Sequence, residues 1–275
     1  MKKAAVVLSS GSARGLAHIG AIEELLSRGY EISSIAGCSM GSLIAGMYAS
    51  GRLAEFKEWM KTITFKKMFQ LADFSLGVGH IVKGERIIEA LEEVAPDINI
   101  EDLDIPYCAV ASDLASGNEV VFTDGSLYHA IRSSISIPLF FRPVIEGKSV
   151  MVDGGCVNPL PLNRVARTPG DILVSVNVSA PYEKNDLSVD TLGGHSLHHR
   201  KKAMEYDYIR LMDRMTDLMI QNNCSLMQQL YKPEVSVSIG MDSFSSFEFY
   251  ESDVIIEKGR QAMAKALDEY ENCIL

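Results

Sequence analysis

The chain has 275 residues, 47% of them hydrophobic and 23% charged, with a formal net charge of −10. That length can bury a large core and the composition is ordinary for a globular α/β domain, while the negative balance disfavours general attraction to nucleic acid or to anionic membranes. The early apolar run Ala4-Ala5-Val6-Val7-Leu8 is cut short by Ser9-Ser10-Gly11, so neither a signal peptide nor a membrane span is expected, and cytoplasmic residence is the expectation that follows.

Val6-Val7-Leu8 reads as a buried strand, and after a Gly-rich turn Ile19, Ile22, Leu25 and Leu26 recur at helical spacing up to Gly29. A second short strand near Ser34-Ile35-Ala36 leads through Gly37-Cys38-Ser39-Met40-Gly41 into a helical run over residues 42–48. Residues 53–83 are amphipathic around Phe56, Trp59, Met60 and Ile63, then aromatic and Gly-rich; a lid over a cleft and plain helical packing are both open there. Helical periodicity returns over 85–94. Residues 105–111 and 119–122 are β-rich around Ser116-Gly117-Asn118, which predicts a hairpin or a bend; 127–135 is helical, and 143–152 reads as paired strands around Glu146-Gly147-Lys148.

An unbroken apolar run over 172–178 suits a central strand. Residues 181–199 are polar and read as a surface segment. The long helical pattern after them carries Met204, Ile209, Leu211, Met212, Met215, Leu218, Met219, Leu226, Met227 and Leu230, a Met-rich stripe that is expected to face the core, with contact to lipid or a partner as the alternative. A last strand over 235–239 and a closing helix over 253–267 complete a single domain, 1–275, whose alternating strands and helices predict a mostly parallel sheet covered on both faces.

The five cysteines, Cys38, Cys108, Cys156, Cys224 and Cys273, are scattered and read as reduced thiols, and His195, His198 and His199 lack the spacing of a metal site. The chemistry concentrates elsewhere. In G-x-S-x-G, two glycines let a strand turn sharply into a helix while the Ser39 hydroxyl stays exposed at the bend. A serine nucleophile needs a proton acceptor, and none of the histidines sits in a strand-end context like that of Ser39. Asp153 does, since Val150-Met151-Val152 reads as a strand and Asp153-Gly154-Gly155 turns out of its end, although D-G-G is also a common tight turn. Ser10-Gly11-Ser12-Ala13-Arg14-Gly15, between the first strand and the first helix, lets backbone N–H groups converge on an anion, and the G-x-x-x-x-G-K-[ST] of a phosphate loop is absent.

These elements, in this order, resemble the patatin-like phospholipase family. The likeness extends to Ala111-Ser112-Asp113-Leu114, to residues 130–138 and to residues 152–161, so it spans about 4–180; residues 181–275 are similar only loosely. The resemblance implies a three-layer α/β/α fold and a Ser–Asp dyad without histidine. Ser39 is then the nucleophile and Asp153 its base, and N–H groups around Gly11, Ser12 and Ala13, with Arg14 nearby, form the oxyanion hole. Gly15, Gly37, Gly41, Gly154 and Gly155 support the motifs. The sequence departs from the family's all-glycine oxyanion run at Ser10 and Ser12. A serine lipid acyl hydrolase, esterase- or phospholipase A-like and acting through an acyl-enzyme on a lipid or other ester, is what the resemblance implies, with no cofactor, no metal and no calcium dependence. A weakly active regulatory or lipid-binding protein and an acyltransferase are the alternatives. Transient contact with a membrane surface, head-group preference and oligomeric state are left open by the sequence.

Overall fold

A computed structural model describes residues 2–64, 85–138, 141–182 and 208–274. Its centre is β1 (Lys2–Leu8), parallel to both of its neighbours, β2 (Tyr30–Cys38) and β7 (Asp171–Ala180). Ala4, Val6 and Leu8 join one hydrophobic cluster and Ala5 and Val7 the other, so β1 is buried on both faces, which a strand tolerates only at the middle of a covered sheet. Outward from this core, β3 (Tyr107–Asp113) lies parallel to β2, and β8 (Val235–Gly240) parallel to β7. β4 (Glu119–Phe122), β5 (Val144–Glu146) and β6 (Ser149–Asp153) add antiparallel pairs at the β3 side, giving the order β5-β6-β3-β2-β1-β7-β8 with β4 also on β3.

Most helices cover the Val6 face. Residues of α1 (Ala17–Ser27), α2 (Met40–Ala49), α3 (Leu53–Lys61), α4 (Glu85–Val94), α5 (Leu127–Ser134) and α7 (Ser252–Ile274) all join the larger cluster. The opposite face is thinner: Leu160, Leu162 and Val165 from an irregular stretch, with Cys224, Ile220 and Met227 from α6 (Tyr208–Tyr231). The result is the mostly parallel sheet covered on both faces that the alternation predicts, in the three-layer α/β/α arrangement that the resemblance implies.

Of the region read as lid or packing, α3 buries Phe56 and Met60 in the core, which is plain packing. Residues 65–83 lie outside the described residues, as do 183–199 and Met204. The core-facing reading of the Met-rich stripe is corrected in part. Met227 packs against the smaller cluster, but Met212, Met215 and Met219 on α6 are exposed while Gln221 and Cys224 are buried, because periodicity identifies a face without saying which way it points.

The sheet also explains how two distant motifs meet. Along β3, Val110 pairs with Cys38 of β2, and the next residue, Ala111, pairs with Asp153 of β6. On its other side β3 is occupied by β4 over Ala109–Ser112, so β6 must take the place beside β3 that β2 vacates after Cys38. Ser39 therefore leaves the sheet where Asp153 arrives.

Candidate active site

Ser39 joins β2 to α2 at φ +54°, a backbone conformation uncommon for a residue with a side chain and costing of order 1–3 kcal/mol. Backbone contact enforces the bend: a Cβ on Gly37 would collide with the backbone of Gly41, and a Cβ on Gly41 with the carbonyl oxygens of Leu8 and Ser9. The Ser39 N–H donates to Ser134 Oγ at 2.8 Å, and Ser134 Oγ donates in turn to Val110 O at 2.7 Å. A serine at a helix N-cap usually caps with its own hydroxyl, but here it makes no cap bond. Instead, Ser39 Oγ donates to Asp153 Oδ2.

Asp153 is held as firmly. Its N–H donates to Ser136 O at 2.9 Å, and its second carboxylate oxygen, Oδ1, accepts the Gly155 N–H at 2.7 Å inside the 3-10 turn Gly154–Cys156. Only 7% of Asp153 and 3% of Ser39 is exposed. Burial penalises the carboxylate and pushes the Asp153 pKa up to about 6, against the opposing pull of its bonds from Ser39 and Gly155.

The turn after β1 forms the third element. Gly11 precedes the 3-10 helix Ser12–Leu16, and a Cβ on Gly15 would collide with the Met40 side chain, so this turn packs directly on the elbow. Ser12 has φ +49°. The Ala13 N–H donates to Ser246 O at 3.3 Å, whereas the amides of Gly11 and Ser12 have no acceptor among the described residues. First-turn N–H groups of this kind are the ones an anion can recruit. The Arg14 guanidinium is taken up by three carbonyls, Val178 at 3.2 Å, Met241 at 3.4 Å and Phe244 at 3.1 Å, so its side chain braces the turn.

With the geometry in place, comparison with known proteins decides the family. The sequence profile of the patatin-like phospholipases matches residues 6–166. The chain belongs to the patatin-like phospholipase family. An uncharacterized NTE family protein of Mycobacterium tuberculosis is 41% identical over 177 residues, 64% of this chain and 49% of the relative. The neuropathy target esterase sws of Drosophila persimilis is 34% identical over 163 residues, 57% of this chain and 11% of the relative. Human patatin-like phospholipase domain-containing protein 6 is 28% identical over 275 residues, covering 94% of this chain and 20% of the relative. The chain thus spans about half the length of the mycobacterial relative and a fifth or less of the other two.

In this patatin-like site several contributors went unnoticed in the sequence. Ser134 lies in the 130–138 block, where nothing marks which of its serines reaches the elbow. Ser9 and Ser179 fasten the turn from behind: Ser9 Oγ accepts the Val178 N–H at 2.9 Å, and Ser179 Oγ donates to Ser10 O at 2.7 Å.

His18 also belongs to this support. Fully buried, its Nε2 lies 2.9 Å from Ser9 O, and desolvation lowers its pKa to about 4, which keeps the ring neutral and donating. His18 and Asp153 then pull stability in opposite directions with pH. Between pH 6.5 and about 4 the unfolded chain holds a proton on His18 that the folded chain lacks, so acid destabilises the fold. Between about 6 and 3.8 the folded chain holds a proton on Asp153 that the unfolded chain has released, so acid stabilises it. Each contribution is about 3 kcal/mol. Urea unfolding of the wild type should therefore change little from pH 6.5 to 4 through these two groups, whereas Asp153→Asn should lose about 3 kcal/mol across the same range. Equal pH dependence in both proteins would contradict the raised pKa of Asp153.

Proposed function

We propose that this chain is a serine lipid acyl hydrolase, esterase- or phospholipase A-like, working through a Ser39–Asp153 dyad. The hydrogen bond from Ser39 Oγ to Asp153 Oδ2 carries the reading. Ser39 attacks the ester carbonyl while Asp153 takes the hydroxyl proton, and the Gly11 and Ser12 amides hold the developing oxyanion. The proton then passes from Asp153 to the leaving alcohol. In the second half, Asp153 takes a proton from water, the resulting hydroxide attacks the acyl-enzyme, and the proton returns to Ser39 as the fatty acid departs.

Aspartate is ordinarily a weaker base than histidine by about 2.6 pKa units, or about 3.5 kcal/mol of proton affinity. Burial of Asp153 recovers most of that difference, since about 6 approaches the 6.5 of a free imidazole. The α2 N-terminus at Ser39 adds a favourable dipole for negative charge. Among the described residues no helix is long and apolar enough to cross a membrane, and a cytoplasmic location is part of this reading.

The pH profile tests the base. On a soluble p-nitrophenyl ester, kcat/KM should be level near pH 7 to 8 and fall about tenfold per pH unit below about 6, as Asp153 gains its proton. A fluorophosphonate probe should label Ser39, identified by peptide mass spectrometry, with the same pH dependence. An unlabelled Ser39 would favour a regulatory protein on this fold, and a profile flat to pH 4.5 would remove Asp153 as the base.

A further inference from the structure

Ser10 departs from the all-glycine run in the turn after β1, and its hydroxyl makes no bond in the fold. The residue is 4% exposed, and its buried Oγ has no hydrogen-bond partner among the described residues. The backbone around it is fully engaged: its N–H donates to Pro159 O at 2.8 Å, and its carbonyl accepts from Ser9 Oγ at 2.9 Å and from Ser179 Oγ at 2.7 Å. A buried hydroxyl without a partner costs about 1–3 kcal/mol, which glycine or alanine at this position would not incur.

That hydroxyl lies beside the base. A Cβ on Gly155 would sit 2.9 Å from Asp153 Oδ1, 3.6 Å from Ser10 Oγ and 3.7 Å from Ile220 Cδ1, so these three atoms surround one point next to the Gly155 Cα. Gly155 is not demanded by its backbone angle, since its φ lies outside the left-handed region, and any residue but proline could supply the N–H that Asp153 Oδ1 accepts at 2.7 Å. What glycine supplies is room, because a side chain would fill the notch between the two oxygens. A carboxylate oxygen and a hydroxyl converging beside an apolar wall suit a small neutral molecule that donates to both.

We infer that Ser10 is a positioning residue for the second half of the reaction: with Asp153 it holds the water that cleaves the acyl-enzyme. This rests on the hydrolase reading above. Once Ser39 carries the acyl group, its Oγ no longer donates to Asp153, and the carboxylate accepts from water in its place. The water gives one hydrogen bond to Asp153 and the other to Ser10 Oγ, which leaves a lone pair aimed at the acyl carbon. Asp153 then takes the first proton as the water oxygen bonds to that carbon. The bond from the carbon to Ser39 Oγ breaks, and the proton passes from Asp153 to Ser39 Oγ. Acylation uses neither this water nor the Ser10 hydroxyl, so Ser10 acts only after the alcohol has left.

Ser10→Ala, which removes only the unpartnered oxygen, tests this beside wild type on a soluble p-nitrophenyl ester. Because kcat/KM covers the steps up to release of p-nitrophenol while kcat includes deacylation, the variant should keep kcat/KM and lose kcat and KM together by about tenfold. Acid-quenched samples should show, by intact mass, a Ser39 acyl adduct that decays about tenfold more slowly than in wild type. Urea unfolding should find the variant at least as stable, since no bond of the fold is lost. Wild-type kcat and adduct lifetime in Ser10→Ala overturn the role of Ser10. So does a variant that unfolds more easily, or loses kcat/KM without accumulating adduct, which would make the hydroxyl a prop of the turn. A pH midpoint of kcat/KM displaced from that of wild type would mean that the hydroxyl bonds Asp153 directly in the free enzyme, and overturns the water site as well. Each of these results leaves the hydrolase reading standing. A wild type that neither releases p-nitrophenol nor forms an adduct at Ser39 removes that reading, and the role of Ser10 with it.

Discussion

Asp153→Asn is expected to lower kcat/KM for a soluble p-nitrophenyl ester by about ten-thousandfold and, at the same time, to make the protein more stable at pH 7. The loss follows because asparagine retains an oxygen for the Gly155 N–H but cannot take the proton of Ser39 Oγ. The gain follows from burial. At pH 7 the carboxylate is ionised in both the folded and the unfolded chain, yet its folded pKa of about 6 against 3.8 shows that the charge is held at a cost of about 3 kcal/mol. Removing the charge removes that cost, so urea unfolding should shift toward higher stability by up to about this amount. Ser39→Ala should lose activity by a similar factor. The two variants separate chemistry from folding. Asp153→Asn with substantial turnover would eliminate the dyad, and Asp153→Asn with reduced stability at pH 7 would mean that the carboxylate contributes more as an acceptor than its desolvation costs.

Gly41→Ala is expected to destabilise the fold by at least about 3 kcal/mol and to abolish labelling at Ser39. Helix propensity alone argues the reverse, since alanine is favoured over glycine by about 1 kcal/mol inside a helix and Gly41 lies in α2. Packing outweighs it because the new methyl would meet the carbonyls of Leu8 and Ser9, which are backbone atoms fixed by the sheet and by the turn after β1. The neighbouring Gly46→Ala makes the control: its methyl would meet only the side-chain ends of Ile131 and Leu127, at 3.0 and 3.1 Å, which can shift. Thermal unfolding and probe labelling of both variants would decide. A Gly41→Ala protein as stable and as reactive as Gly46→Ala would show that the elbow and the turn are not in rigid contact.

The sequence reading and the structure agree where a motif carries its own geometry. Gly37 and Gly41 around Ser39, and Gly154 and Gly155 after Asp153, each imply a turn at a strand end, and both turns are there; the rule that gathers such ends in a parallel sheet covers Ser39 but not Asp153, whose strand is antiparallel. What stayed hidden depends on contacts between distant segments. Nothing in 150–153 says that this strand would run antiparallel beside Ala111 and so bring Asp153 to Ser39. Nor does Ser134 stand out among its neighbours, although its hydroxyl holds the Ser39 amide. Arg14 was legible as a cation near the turn, but the carbonyls that receive it come from residues 178, 241 and 244. The outward methionines of α6 were unreadable for another reason: its inward side mixes Ile220, Cys224 and Met227 with Gln221 and Gln228, of which Gln228 finds partners in Asn177 and Ser175, and a hydropathy pattern does not register such bonds.

The bracing of Arg14 and Ala13 bears on how this chain can be cut and recombined. Their acceptors, Val178, Met241, Phe244 and Ser246, all lie beyond residue 166, where the family match ends. A fragment trimmed to the matched span would keep every signature motif and lose what holds the first of them in shape. In a chimera that exchanges the last hundred residues with those of a relative, the donor of the tail would therefore influence the shape of the Gly11–Ala13 turn and, under the proposed mechanism, the rate of the chemical step.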